Sequence, residues 1–234
     1  MKNISNRINI SASRVQRKKK IAKMAKMTLL GLVVLLVVSY AIVGLIYNSG
    51  NFSITLDRNL YFQRNLIIYD DPEYKVFRTE LRAETIESLD NISHRWLPDN
   101  LHDHPGGSHN GENYIAYTFY IENIGDMISN YWTEIEIVDV ISDVDEAVRI
   151  RVYKNDEYVT YAKMGSDGNP EPGTIPFMSD DLVALEHVQN FKPGDIDKYT
   201  VVIWLEGSDP ECTDNILGGE IKIQMNFNSE FVEK

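Results

Sequence analysis

The sequence predicts a mainly β protein, an antiparallel β-sandwich of jelly-roll-like form that follows one N-terminal transmembrane helix. Three observations lead to this prediction. One uncharged apolar run covers Met27–Tyr47, hydrophobic and polar residues alternate in five later segments, and turn-forming residues separate those segments. Alternation with a period of two is typical of strands that bury one face, and many such segments indicate a sandwich.

The apolar run is long enough to cross a bilayer. It holds 21 residues, and no charged residue lies between Lys26 and Asp57. A bilayer core of about 30 Å needs about 20 apolar helical residues, and a soluble helix is rarely apolar on every face. A cleaved signal peptide has an apolar region of about 7–15 residues and a small-x-small cleavage site, which residues 46–50 do not offer. The run is therefore predicted to be an uncleaved signal anchor.

The distribution of charge predicts the orientation of this anchor. Nine of the 23 basic residues precede Met27, whereas all 35 acidic residues follow Tyr47. Because positively charged flanks stay in the cytoplasm, the N-terminus is predicted inside and the C-terminus outside. The predicted organisation is a basic cytoplasmic tail (1–26), a transmembrane signal anchor (27–47), a short joint (48–51) and an extracellular β-sandwich domain (52–234) of a single-pass plasma-membrane protein.

The composition of the exterior part limits its partners. With 14 basic against 35 acidic side chains it carries a net charge of about −21, which argues against binding a nucleic-acid backbone and suits cations or a basic cell-wall partner. Cys212 is the only cysteine, so the domain cannot form an intrachain disulfide and must be stable by packing alone. This usage of cysteine fits a bacterial surface better than a small eukaryotic secreted domain.

Strands and turns are predicted along the exterior part in a regular succession. The segment Tyr114–Ile121 is aromatic and β-branched throughout, as in a strand that is buried on both faces. The best helix candidate is Thr79–Asp90, and residues 1–13 are expected to be disordered. Trp204 is expected on the opposite face from Leu205. The alternating strands are predicted over Phe52–Leu56, Tyr131–Ile141, Val148–Tyr153, Lys198–Glu206 and Glu220–Phe227.

One polar loop suggests a metal site. Four of the five histidines lie in or near Leu97–Asn113, and imidazoles together with carboxylates are the ligands that zinc prefers. The alternative is a solvated loop, because gathering ligands from a flexible segment costs conformational entropy. The candidate metal ligands are His102, Asp103, His104 and His109.

Two further features bear on function. The long loops Leu97–Asn113 and Gly165–Pro176 are where binding is expected, since binding residues are often carried on loops. Calcium prefers carboxylate and carbonyl oxygens, but the acidic groups lack EF-hand spacing, and solvated turns are the alternative. One of these groups comprises Glu206, Asp209 and Glu211.

The sequence contains no metalloprotease H-E-x-x-H, no G-x-S-x-G and no P-loop. The prediction is therefore a non-enzymatic protein with no catalytic residues and no bound cofactor, zinc or calcium being the open alternatives.

The C-terminal stretch Trp204–Phe227 (WLEGSDPECTDNILGGEIKIQMNF) resembles the end of a family of mostly uncharacterised single-anchor surface proteins from Gram-positive Firmicutes. Asn65–Thr79, Gly111–Gly125 and Phe191–Val202 are similar to the same family. More distantly, the strand pattern and this ending look like the camelysin and TasA group of biofilm-matrix proteins, which implies a jelly roll. The chain departs from that group in its longer apolar segment without a cleavage site, so fibre formation, which requires release, is not implied.

These patterns predict a membrane-anchored, non-enzymatic cell-surface protein of a Gram-positive bacterium with a structural or interaction role. Its predicted partners are the membrane and cell-wall or surface proteins. One alternative is a cation- or glycan-binding surface domain that uses the 97–113 loop, and another is a wall-associated enzyme.

Overall fold

The computed structural model describes residues 2–47, 51–86 and 88–229, and the side chains of these residues apart from 2–16, 41–47 and 64. Contacts between residues divide the chain into two compact units, residues 1–49 and residues 50–234. The predicted joint at 48–51 lies at this division, and its residues 48–50 fall outside the described part.

The first unit is one long helix, α1 (Lys2–Tyr47). The expectation of disorder in residues 1–13 is wrong, since the helix begins at Lys2. No proline or glycine interrupts the chain before Gly31, so an established helix can extend through the basic segment at little cost. Every described side chain from 17 to 40 is exposed. By length and composition this helix can cross a membrane as an anchor or a signal sequence.

The regular structure of the second unit consists almost entirely of strands, as predicted. A short helix, α2 (Arg58–Arg64), begins at the capping residue Asp57, whose carboxylate accepts a hydrogen bond from the backbone N–H of Asn59. The strands within the described residues are β1 (Phe52–Leu56), β2 (Leu66–Tyr69), β3 (Glu80–Arg82), β4 (Gly107–Ser108), β5 (Ile115–Asn123), β6 (Ser129–Ile141), β7 (Val148–Lys154), β8 (Glu157–Ala162), β9 (Ile175–Pro176), β10 (Leu182–Phe191), β11 (Ile196–Leu205) and β12 (Glu220–Ser229).

Two sheets pack face to face. The first, sheet A, has the strand order β10-β6-β12-β1-β3, and the second, sheet B, has the order β2-β5-β11-β7-β8-β9, with β4 paired to β5. Most pairs are antiparallel, but β1 runs parallel to β12, with Phe52 opposite Ile223, and β8 runs parallel to β9. The fold is therefore the predicted β-sandwich, with mainly antiparallel sheets that each contain one parallel pair.

The main core lies between the two sheets and is rich in aromatic rings. Phe227 of sheet A is fully buried, and its ring centroid lies 5.8 Å from Phe119 and 5.5 Å from Tyr199 of sheet B. Tyr131 of sheet A packs against the same ring at 5.7 Å. Aromatic pairs at these separations stabilise a core beyond their buried area, so Phe227 joins the two sheets at their centre.

The predicted strands are confirmed to within a few residues, whereas the helix predicted over Thr79–Asp90 is wrong. No described residue of this stretch is helical, and Glu80–Arg82 form β3 on the edge of sheet A. Leu81 pairs with Ile54 of β1 and is buried in the core. Its partner lies 27 residues away, and this non-local pairing overrides the local helical spacing.

A third layer covers part of the outer face of sheet B. The cover segment, residues 90–113, includes two turns of 3-10 helix, at His94–Trp96 and Leu101–Asp103, and joins sheet B through β4. Its backbone joins β11 where Ile92 donates to the carbonyl of Leu205 (2.9 Å). A second buried apolar cluster lies beneath it, formed by Ile92, Leu97 and Leu101 of the cover segment with Ala116, Tyr153, Val202 and Trp204 of sheet B.

Removing the central ring of the core should destabilise the second unit strongly. We expect Phe227→Ala to lower the free energy of unfolding by about 3–5 kcal/mol, because it leaves a cavity among three aromatic rings. The control is Phe62→Ala, since Phe62 is 73% exposed. Urea unfolding of the full chain in micelles, followed by tryptophan fluorescence, measures both. Similar midpoints for the two variants would contradict this packing.

Candidate functional site

An open cleft lies on the outer face of sheet B beside the cover segment. Its volume is about 730 Å³, within the range of about 300–1,000 Å³ typical of small-molecule sites. The floor is formed by side chains of β7, β8 and β11, and the walls by the loop after β8 and the loop after β11. The lining residues used below are Arg149, Arg151, Tyr158, Ser166, Asp167, Glu171, Trp204, Glu206 and Glu211.

A guanidinium group between two aromatic rings forms the floor. The Arg151 guanidinium lies 4.7 Å from the ring centroid of Tyr158 and 5.2 Å from that of Trp204. Strand pairing fixes this arrangement, since Arg151 is directly opposite Thr160 on one side and Val202 on the other. Arg151 Nε also donates to Thr160 Oγ1 (3.0 Å). Stacking on two rings holds the cation in place, so the floor is preorganised.

Glu206 anchors the wall next to the cover segment. Its carboxylate accepts hydrogen bonds from the backbone N–H of His94 (2.9 Å), the indole Nε1 of Trp204 (3.1 Å) and the hydroxyl of Ser208 (2.6 Å). Burial raises the pKa of this carboxyl, but the donors from Ser208, Trp204 and His94 outweigh burial and lower the pKa overall. Glu206 is therefore an ionised group that ties the cover segment to β11.

An ionic cluster forms the opposite end of the cleft. The buried Arg149 guanidinium pairs with Asp209 and, at 3.0 Å, with Glu171. Carboxylate oxygens of Glu171, Asp209 and Glu211 lie within 4.8 Å of one another, which is close enough for a shared cation. Arg149 already supplies a positive charge to two of these carboxylates. The buried guanidinium therefore already balances part of the negative charge of this cluster.

The carboxyl groups of this cluster differ in acidity. The pKa of Asp209 is raised, first by burial and then by its hydrogen bond with Glu211, and these effects exceed the lowering by Arg149. The pKa of Glu211 falls to about 2, because Ser166 and Asp209 hydrogen-bond to its carboxylate. Glu211 therefore stays ionised at the cleft wall at any physiological pH, whereas Asp209 is the acid of the pair that holds a proton more readily.

The four candidate metal ligands are not gathered into one site. Among the described residues, they form no set of three donor groups within 4.8 Å. The ring of His102 stacks on Tyr153 (centroids 5.0 Å apart), whereas His104 stacks on His109 at 4.1 Å with only 18° between the ring planes. Nitrogen lone pairs lie in the ring plane, so two nearly parallel stacked rings do not point at one ion. Asp103 lies 3.6 Å from His102 Nε2 as an exposed partner.

His109 has a structural role under the cover segment. Its Nε2 bonds Thr118 Oγ1 (2.9 Å), which in turn bonds Thr200 Oγ1 (2.7 Å) inside sheet B. Burial, and then the neighbouring His104 and Lys198, lower the pKa of His109 to about 4. This imidazole is therefore neutral at neutral pH, and the loop that the sequence suggests as a binding loop is instead packed as the covering layer.

The sequence patterns indicate residues in the walls of the cleft but not those in its floor. The sequence singles out the group Glu206, Asp209 and Glu211 and also the loop Gly165–Pro176, but as separate features. Arg149 and Arg151 alternate with the apolar residues of one predicted strand, and no sequence pattern singles out Tyr158. Their role depends on β7 lying next to β11, which places both arginines beside Trp204, and strand order is not readable from alternation alone.

Comparison with known proteins gives no relative that defines a function. No protein-family model matches this chain, and no curated protein matches it by sequence. Two crystal structures of a β-glucosidase from Kluyveromyces marxianus, one selenomethionine-labelled and one in complex with glucose, share 12% and 13% identity at TM-scores of 0.27 and 0.24. Each covers 68% of this chain, which spans 17% and 16% of the β-glucosidase chains. These scores are too low to support any argument.

Loss of the buried cation should destabilise the domain. We expect Arg149→Met to cost about 3–5 kcal/mol, because Asp209 and Glu171 then lie together in a buried region without a counter-charge. Arg82→Met is the matched control, since Arg82 pairs with Glu80 at the surface and should cost no more than about 1 kcal/mol. Urea unfolding at neutral pH measures both variants. Equal losses would show that the Arg149 cluster is not a buried ionic unit.

Proposed function

We propose that the protein is a membrane-anchored, non-enzymatic interaction protein on the surface of a Gram-positive bacterium. The observation that carries this proposal is the charge asymmetry about the apolar segment of α1, with nine basic and no acidic residues before it and a net charge of about −21 after it. Positive flanks retain the N-terminal side in the cytoplasm, so the β-sandwich faces outward.

The second unit suits an outward-facing role. It has its own aromatic core and a second apolar cluster, and the single Cys212 lies partly buried against the main core. Its stability therefore depends on packing and not on the redox state of its surroundings. The cleft beside the cover segment offers an open, preorganised surface for a partner, which supports an interaction role over a purely structural one.

Site-specific labelling tests this topology. In a Cys212→Ser background, a cysteine is introduced either by Asp156→Cys, at the exposed turn between β7 and β8, or by Ser5→Cys, before the apolar segment. On intact cells a membrane-impermeant maleimide should label the first variant only, and permeabilised cells should label both. The full-length protein should also sediment with membranes. Labelling of Ser5→Cys on intact cells, or release of a shortened protein into the medium, would contradict the proposal.

A further inference from the structure

We infer that the cleft on sheet B binds a saccharide. This inference rests on the proposed function, because it gives the outward-facing domain a ligand class, and it can fail while the topology stands. It is carried by three properties of the cleft, namely its charge, its floor and the hydrogen-bonding groups that remain available along it.

The charge of the cleft disfavours anionic ligands. Its lining includes two guanidinium groups, of Arg149 and Arg151, against the four carboxyl groups of Asp167, Glu171, Glu206 and Glu211. The Arg149 guanidinium already forms ion pairs with Asp209 and Glu171, so little of its positive charge is available to bind a phosphate. A phosphorylated or nucleotide ligand would meet net negative potential, whereas a neutral polyhydroxyl ligand would not.

The floor combines the exposed ring of Tyr158 with the fixed cation of Arg151. An aromatic ring suits the C–H faces of a sugar, and a cation suits the hydroxyl groups at its edge. Tyr158 is 57% exposed, and three prolines at 170, 172 and 210 add apolar surface to the walls. A pyranose presents C–H groups on its faces and hydroxyls at its edge, so it can pack against such apolar surface while its hydroxyls reach polar side chains. An apolar ligand would leave the charged groups of the cleft without partners, at a large desolvation cost.

The polar side chains of the cleft retain both free hydrogen-bond donors and free hydrogen-bond acceptors. A guanidinium has five N–H donors, and Arg151 uses Nε toward Thr160 and Nη1 toward the Tyr153 hydroxyl (3.4 Å). The Glu211 carboxylate accepts from the backbone N–H of Ser166 and keeps further lone pairs. Hydroxyl groups both donate and accept, so they match a surface where a fixed donor and an ionised acceptor line the same cleft.

The cation at the floor favours a neutral saccharide over a basic peptide. A lysine side chain that entered the cleft would approach the Arg151 guanidinium, which is stacked between Tyr158 and Trp204 and cannot easily withdraw. Like charges at close range oppose binding, and this repulsion offsets the attraction of the surrounding carboxylates.

Calorimetric titration of the full-length protein tests this inference. The protein is held in a detergent without a sugar headgroup, and the probes are cellopentaose and the pentamer of N-acetylglucosamine, each at up to about 10 mM, to cover millimolar dissociation constants. At least one of them should bind. Two cleft variants, Tyr158→Ala and Ser166→Trp, should weaken binding by about tenfold or more. The first removes the aromatic face, and the second places a bulky ring at an exposed position of the wall.

The control variant is Tyr74→Ala, the same substitution at an exposed tyrosine outside the cleft, and it should bind like the unmodified protein. Pentalysine and inorganic phosphate serve as charged probes. Neither charged probe should bind as tightly as the better saccharide. The inference is overturned if neither saccharide binds, if the cleft variants bind as well as the control, or if pentalysine or inorganic phosphate binds more tightly than both saccharides. In each of these cases surface labelling of Asp156→Cys still decides the proposed function independently.

Discussion

The architecture of the second unit depends on one constraint, which is that strand β11 is apolar on both of its faces. Val201 and Ile203 point into the core between the sheets, while Val202 and Trp204 point outward from sheet B. Trp204 is only 1% exposed. A sheet face that carries such residues cannot remain in water, because each buried side chain of this size contributes about 1.5–3 kcal/mol. A simple two-layer sandwich therefore does not satisfy this sequence.

The cover segment meets this constraint, and the position at which it stops defines the cleft. It packs Leu97 and Leu101 over Val202, and Glu206 joins it to β11 through hydrogen bonds from the His94 backbone and the Trp204 indole. Beyond the cover segment the outer face of sheet B carries charged side chains, namely the buried Arg149 with its carboxylate partners and the partly exposed Arg151. The uncovered part is the floor of the cleft, so the same strands carry the second apolar cluster and the candidate binding surface.

Local patterns predicted most of the strands and little of their assembly. Alternation located β1, β6, β7, β11 and β12, and it placed Trp204 and Leu205 on opposite faces, as observed. It failed where distant residues decide the structure. Leu81 forms a strand because Ile54 lies beside it, and Phe52 pairs in parallel with Ile223 near the other end of the chain. The loop Leu97–Asn113 is predicted to be solvated or to bind a metal, because the spacing of its histidines does not reveal the apolar strand beneath it.

Hydrogen exchange of the cover segment tests the central claim, that this segment is a packed layer and not a free loop. The backbone N–H groups of Ile92 and His109 donate to Leu205 and Ala116 of sheet B, both at 2.9 Å. They should therefore exchange as slowly as amides of the neighbouring strands, whereas the amide of the exposed loop residue Gly173 should exchange rapidly. Rapid exchange at Ile92 and His109, equal to that of the open loop, would contradict the account.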